Sequence, residues 1–262
     1  MIKSVLRYPG AKWALSKWIC SNLPEHDVYV EPFFGSGAVF FGKEPSCTET
    51  VNDIDGNVVN LFKTLRERTE ELCAAVSLTP WSRDEYLTSY LPGDGTDDVE
   101  QARVFLVRCW QAFGTRTGLS SGWRNRTTGR SPTEPDIWKT LPERLAMAAA
   151  RLRHAQIENM DAIDLIKRYN APNCLIYADP PYMPETRSKG ICAFECDDGY
   201  HARLLDALDA NQGSVVLSGY AHGLYNERLA HWQRVDKNSY AEKGAARNEV
   251  LWIKGSGVAG GV

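Results

Sequence analysis

The chain has 262 residues, 43% of them apolar and 24% charged, with a formal net charge of −3. That length buries one sizeable core, or one core carrying an inserted lobe, and the composition excludes disordered and fibrous classes. No apolar run approaches the ~18 to 20 residues of a membrane span, and the start, Met1 to Pro9, lacks the apolar centre of a signal peptide, so a cytoplasmic location is expected.

The seven cysteines (Cys20, Cys47, Cys73, Cys109, Cys174, Cys192 and Cys196) are scattered and never spaced Cys-x-x-Cys. Buried free thiols are therefore expected rather than a disulfide framework. Cys192, Cys196 and His201 cluster without an evident fourth ligand, so no metal is expected. Charge is unevenly spread. Residues 101–153 carry ten Lys/Arg (Arg103, Arg108, Arg116, Arg124, Arg126, Arg130, Lys139, Arg144, Arg151 and Arg153) against three acids (Glu134, Asp136 and Glu143), a balance of +7 that leaves −10 for the rest. A basic lobe on an acidic body suits a protein that grips a polyanion with one part only.

In chain order, the turn residues Tyr8-Pro9-Gly10 precede a helical pattern from Trp13 through Ile19 to Leu23. Lys12 at its start opposes the helix macrodipole, which points to an anion nearby. Val28 to Val30 read as a short strand ending at Pro32, followed by a turn with Gly35 and Gly37 and a helix from near Ser36. Such a strand, glycine turn and helix open a cofactor-binding sheet; the spacing is not Gly-x-Gly-x-x-Gly, which leaves room for a nucleoside without a pyrophosphate. The second strand, Glu49 to Asn52, ends on Asp53, 18 residues after Gly35 and placed to take two ribose hydroxyls. Asp55 is the alternative, although capping of the helix from Val58 to Leu65 already accounts for it.

Helices follow from Arg83 to Tyr90 and from Asp98 to Phe113. Residues 114–130 have no period and are too long for a plain connector. Their arginines, Arg116, Arg124, Arg126 and Arg130, interleave with Trp123 and Asn125, a set suited to phosphates, base edges and unstacked bases. The remainder alternates: a helix from Leu141 to Arg153, a strand at Ile157, a helix from Asp161, a strand at 174–179, a helix from Tyr200 to Leu208, a strand at Ser214 to Ser218, a helix near Leu224 to Leu229 and a strand at Glu249 to Ile253. Residues 183–198 are expected to close over a site, and the glycine-rich end after Lys254 to be disordered.

The most informative stretch is Ala178-Asp179-Pro180-Pro181-Tyr182, which follows the apolar run Cys174-Leu175-Ile176-Tyr177. Two prolines forbid further pairing, so Asp179 lies at the carboxyl end of a buried strand, where open α/β sheets bind ligands. Neither proline offers an N–H, so the Asp179 carboxylate and the next carbonyl oxygens form an acceptor-only edge beside the ring of Tyr182. That edge suits a planar group bearing an exocyclic amine.

Together, Tyr8-Pro9-Gly10-Ala11-Lys12, Glu31-Pro32-Phe33-Phe34-Gly35-Ser36-Gly37, Asn52-Asp53-Ile54-Asp55 and Asp179-Pro180-Pro181-Tyr182 resemble, in order and spacing, the Dam-like (D12 class) S-adenosylmethionine-dependent DNA adenine-N6 methyltransferases. The resemblance implies an α/β, Rossmann-like fold with a mixed, mostly parallel sheet and helices on both faces. It implies a catalytic domain of residues 1–79 and 141–262, and an inserted, mainly helical target-recognition lobe of residues 80–140. It implies that Tyr8, Lys12, Asp53 and Asp179 contact S-adenosylmethionine or line its pocket, with Glu31, Pro32, Phe33, Gly35 and Gly37 alongside. Asp179, Pro180, Pro181 and Tyr182 would be catalytic, and Arg116, Trp123, Arg124, Asn125, Arg126 and Arg130 would touch DNA. The expected partner is double-stranded DNA with the target adenine flipped out, and the chain is taken as a monomer. The pattern departs from the family at Ala11, where many members carry glycine, and at Ser218-Gly219-Tyr220, where a Ser-Asn pattern is usual. A methyltransferase acting on cytosine N4, RNA or a protein amide, or a silent nucleic-acid binder, would share parts of this pattern.

Overall fold

The central strand is buried at all five positions, Cys174 to Ala178, as a strand covered on both faces must be. Its side chains divide between two cores. Leu175 and Tyr177 join one apolar cluster, whereas Cys174, Ile176 and Ala178 join another. The computed structural model describes residues 2–91, 97–114, 120–126, 129, 131–183, 196–240 and 246–255. Most of residues 183–198, expected to close over a site, much of the segment 114–130 and the glycine-rich end lie outside them.

Among the described residues the strands are β1 (Val28–Glu31), β2 (Thr48–Asn52), β3 (Ala155–Glu158), β4 (Cys174–Ala178), β5 (Ser214–Tyr220), β6 (Gln233–Tyr240) and β7 (Ala246–Lys254). The helices are α1 (Ser16–Cys20), α2 (Gly56–Glu67), α3 (Thr69–Leu78), α4 (Arg83–Thr88), α5 (Asp98–Gln111), α6 (Glu134–Trp138), α7 (Leu141–Leu152), α8 (Ala162–Arg168), α9 (Asp198–Ala210) and α10 (Gly223–Arg228). The strands form one sheet in the order β3-β2-β1-β4-β5-β7-β6. β3, β2, β1, β4 and β5 run parallel, and β7 inserts antiparallel beside β5, with β6 antiparallel at its edge. The order reverses between β1 and β4, which makes their carboxyl ends the ligand crevice of a doubly wound, Rossmann-like sheet.

Residues of α2, α3, α5 and α7, among them Phe62, Leu72, Phe105 and Leu145, cover one face. Leu165, Leu204 and Tyr225 of α8, α9 and α10 cover the other. Within the segment 80–140, α5 packs on α2 and α3, and its Phe105, Leu106 and Trp110 share the core of Phe62.

Several expectations need correction. The helix expected over Trp13 to Leu23 is confined to α1, whose N-cap Leu15 supplies no side-chain cap, so Lys12 stands before the helix, not on its first turn. No helix follows the glycine turn: residues 38–42 form turns, with Phe41 N bonding Gly37 O at 2.9 Å. Three elements carry no expectation, namely α3, α6 and β6; β6 is polar and largely exposed at the sheet edge, so it lacks an apolar run to read. The thiols are not uniformly buried, since Cys47 is exposed.

The excess of basic residues is also less available than its count suggests. Arg103 pairs with Glu85 at 2.8 Å and Glu100 at 2.6 Å. Arg108 bonds the Ser89 carbonyl, and Arg151 pairs with buried Glu49 at 2.7 Å.

Candidate active site

The tips of β1, β2 and β3 are sewn together by one amide. Asn52 Nδ2 donates to Pro32 O at 2.9 Å and to Met160 O at 3.1 Å, and its Oδ1 accepts from Met160 N at 2.9 Å. This holds the turn after β1 in place. Gly35 and Gly37 adopt φ of 47° and 66°, conformations that glycine takes without the Cβ penalty. A Cβ on Gly37 would come within 2.5 Å of Phe34 Cζ and 2.7 Å of Phe41 Cε2, so the turn is closed down on packed rings.

Asp53 pegs this turn. Its Oδ2 accepts from Gly35 N at 2.7 Å and its Oδ1 from Asp55 N at 2.9 Å. Burial pushes the carboxyl up to about 6, against the opposing pull of those backbone bonds. Asp55 does cap α2, accepting from Asn57 N at 3.0 Å, and also receives the Tyr8 hydroxyl at 3.4 Å. An acid whose pKa is raised in the native state binds its proton more tightly there, so its contribution to stability falls as pH rises from about 4 to about 6. A native shift of that size corresponds to about 3 kcal/mol. Relative to wild type, Asp53→Asn is therefore expected to gain thermal stability across that window and to level off above it. A difference in melting temperature that stays constant from pH 4 to 7 would mean that Asp53 titrates normally.

The Tyr8 to Lys12 turn bridges the tips of β2 and β4, which lie two strand spacings apart, about 10 Å. Tyr8 lies against Gly35, its ring 3.1 Å from where a Cβ would be. Lys12, only 6% exposed, reaches the other way. Its Nζ donates to Gly10 O at 2.8 Å, pairs with Asp179 Oδ2 at 2.9 Å and sits 4.6 Å from the centre of the Tyr182 ring. The anion that Lys12 seeks is thus Asp179 of the same chain.

Asp179 Oδ1 accepts from Ser218 Oγ at 2.8 Å, a contact from β5 that fixes the carboxylate plane. Tyr182 donates its hydroxyl to Glu249 Oε2 at 2.9 Å and meets the Tyr220 ring edge-on at 4.5 Å. Ser218 and Tyr220 belong to the segment that replaces the family's Ser-Asn pattern, with Tyr220 the candidate substitute at the floor of the target pocket, whereas nothing in the sequence singles out Glu249, whose place here depends on strand pairing.

Glu31 is buried beneath this cluster, close enough for the Asp179 charge to act on it. Its Oε2 accepts from Tyr29 OH at 2.7 Å, and burial pushes its carboxyl up to about 8. Pro32 is tied to Asn52 through its carbonyl, Phe33 packs on the opposite core, and Pro180 is buried whereas Pro181 is partly exposed. The side chains of Asp53, Asp55, Asp161 and Asp179 thus lie at the carboxyl ends of β2, β3 and β4, with the Lys12 ammonium beside Asp179. That acid-rich crevice with a glycine turn fits a cationic nucleoside such as S-adenosylmethionine.

Farther out, Phe113 N bonds Gly122 O at 2.7 Å and Arg124 N bonds Gln111 O at 2.7 Å, closing a small hairpin. Trp123 is a strut at its base, donating to Gln111 Oε1 at 3.1 Å beneath the Arg83 guanidinium. Arg124 Nε bonds Ala112 O at 3.0 Å, and Arg126 reaches Glu134 at 3.4 Å. Asn125 and Arg126 are exposed, as is Phe113 at 72%. Arg116 and Arg130 lie outside the described residues.

Residues 8–238 match the family described as D12 class N6 adenine-specific DNA methyltransferase. A DNA N-6-adenine-methyltransferase of Escherichia phage P1 is 26% identical over 75% of this chain, which spans only 26% of that longer protein. A DNA adenine methylase of Salmonella typhi is 24% identical over 95% of this chain and 92% of its own length. Among solved structures, a putative methyltransferase from Escherichia coli overlaps with a TM-score of 0.38 at 11% identity, covering 91% of this chain and 81% of that one.

Proposed function

The chain belongs to the family of D12 class N6 adenine-specific DNA methyltransferases, and we propose that it moves a methyl group from S-adenosylmethionine to the N6 amine of an adenine flipped out of double-stranded DNA. The observation that carries this reading is the seat of Lys12: a nitrogen donor bonded to Asp179 Oδ2 at 2.9 Å and lying over the Tyr182 ring. An amino group on an aromatic base asks for the same surroundings, an acceptor at its edge and a ring against its face.

The adenine amine is a poor nucleophile because its lone pair is delocalised into the ring. Asp179 and the Pro180 carbonyl oxygen accept its two N–H bonds and favour the pyramidal form, while Tyr182 stacks on the base and orients it. Lys12 withdraws from Asp179 Oδ2 as the amine arrives, and Ser218 keeps Oδ1 in place. The bound cofactor supplies the electrophilic methyl as a sulfonium. Asp179 need not take a proton before transfer, because the product ammonium is acidic enough to release it afterwards. Tyr8, Lys12, Asp53 and the Glu31 to Gly37 segment hold the cofactor side. A base within a duplex cannot enter such a crevice, so the nucleotide is turned out of the stack.

Residues 80–140 serve target recognition, inserted between 1–79 and 141–262, with the outer hairpin and its Trp123, Arg124, Asn125 and Arg126 facing DNA together with Arg116 and Arg130. Replacing Arg124 and Arg126 together by alanine is expected to weaken DNA binding and to reduce the slope of log affinity against log salt by about 2. An unchanged slope would take that hairpin out of the interface. The function itself is tested by incubating the protein with duplex DNA and S-adenosylmethionine and hydrolysing the DNA to nucleosides. N6-methyladenine is expected, and N4-methylcytosine alone, or no modified nucleoside, would refute the reading.

A further inference from the structure

We infer that Glu249 is a positioning residue for Tyr182, holding its ring in the plane against which the target base stacks. This rests on the stacking role given to Tyr182 above. Tyr182 lies beyond the end of β4, on a prolyl segment that has left the sheet, so no strand pairing fixes its ring. Side-chain contacts do so instead, and two come from one rung of the neighbouring ladder. Tyr220 and Glu249 are register partners in the antiparallel pairing of β5 with β7. Tyr220 sets its ring 4.5 Å from that of Tyr182 at 71°. Glu249, 8% exposed, takes the Tyr182 hydroxyl at 2.9 Å.

The two contacts constrain different motions. The Tyr220 edge limits how far the Tyr182 ring can slide, whereas the carboxylate at the far end of the phenol fixes its tilt, through a charge-assisted bond stronger than a neutral one. The ring is thereby held with the Lys12 ammonium 4.6 Å from its centre, in the place assigned to the incoming base. The insertion of β7 beside β5 has a specific consequence: it brings a carboxylate from late in the chain to the carboxyl edge of the parallel strands.

The test compares Glu249→Ala, Glu249→Gln, Tyr182→Phe and the Tyr182→Phe/Glu249→Ala pair, each checked by thermal unfolding and by calorimetric titration with S-adenosylmethionine. Glu249→Ala is expected to lower kcat for methyl transfer roughly tenfold to a hundredfold, as a small misplacement of a reacting group does, with the cofactor affinity unchanged. Glu249→Gln, which still offers an oxygen to the hydroxyl, should recover most of that loss. In the Tyr182→Phe background Glu249→Ala should add little, because the shared bond is already gone. Equal losses from Glu249→Ala in both backgrounds, or a Glu249→Gln as impaired as Glu249→Ala, would overturn the inference. If Glu249→Ala does not fold, Glu249→Gln against Tyr182→Phe carries the test: a Gln variant slower than the Phe variant would overturn it. Tyr182→Ala separates the two levels of the reading. Undiminished transfer in Tyr182→Ala would refute the stacking role itself, whereas loss of transfer there without coupling to Glu249 would refute only the positioning.

Discussion

Asp179→Ala is expected to lower methyl transfer at least ~1000-fold while the protein stays folded and still binds S-adenosylmethionine. The expected loss is large because the role proposed for Asp179 combines two tasks: accepting from the amine, and orienting that amine toward the methyl donor. The fold should survive because Asp179 lies just beyond β4, outside both apolar clusters. Its side chain is 17% exposed, and Lys12, left without its anion, keeps the Gly10 carbonyl at 2.8 Å. Ser218 likewise retains the Tyr177 hydroxyl at 3.1 Å. Circular dichroism, cofactor titration and a transfer assay on the same preparation check all three parts. A variant that turns over near the wild-type rate would show that Asp179 does not hold the amine.

Gly37→Ala should cost stability and cofactor binding together. The residue has φ of 66°, where a Cβ costs about 1–2 kcal/mol. The added methyl would also meet Phe34 and Phe41, rings that are 4% and 5% exposed and have little room to yield. Overpacking of that kind costs about 1–3 kcal/mol more, so the melting temperature should fall by roughly 5–15 °C. Gly10→Ala is the matched control. Its φ is 73°, but nothing lies within 4 Å of a Cβ there, so only the conformational cost of about 1–2 kcal/mol applies. Equal destabilisation at the two sites would mean that the phenylalanine rings move aside.

What the sequence made legible was local. The run into Asp179-Pro180-Pro181 could be read as a buried strand with a chemical group at its tip, because prolines end pairing wherever they occur. Asp55 could be read as a helix cap because the capping bond spans only two residues, and it makes that bond. What stayed hidden depends on contacts across the chain. The Lys12 to Asp179 pair joins the first turn to the central strand, and Tyr182 to Glu249 crosses 67 positions. The helix expected after Gly37 fails because a run of large side chains closes around the turn instead: Phe34 sits 4.8 Å from Phe62, and Phe40 sits 5.2 Å from Phe41. Counting charges along residues 101–153 overstated the free basic surface, since counting does not show that Arg103, Arg108 and Arg151 already have partners.

The central claim is that a base amine takes the seat Lys12 now holds. A crystal structure of the protein with a non-reactive cofactor analogue and duplex DNA tests it most directly. The expected result is an extrahelical adenine with its N6 within hydrogen-bond reach of Asp179, its ring stacked on Tyr182, and the Lys12 ammonium displaced from Asp179 Oδ2. An adenine bound elsewhere, with the Lys12 to Asp179 pair intact beside it, would contradict the claim.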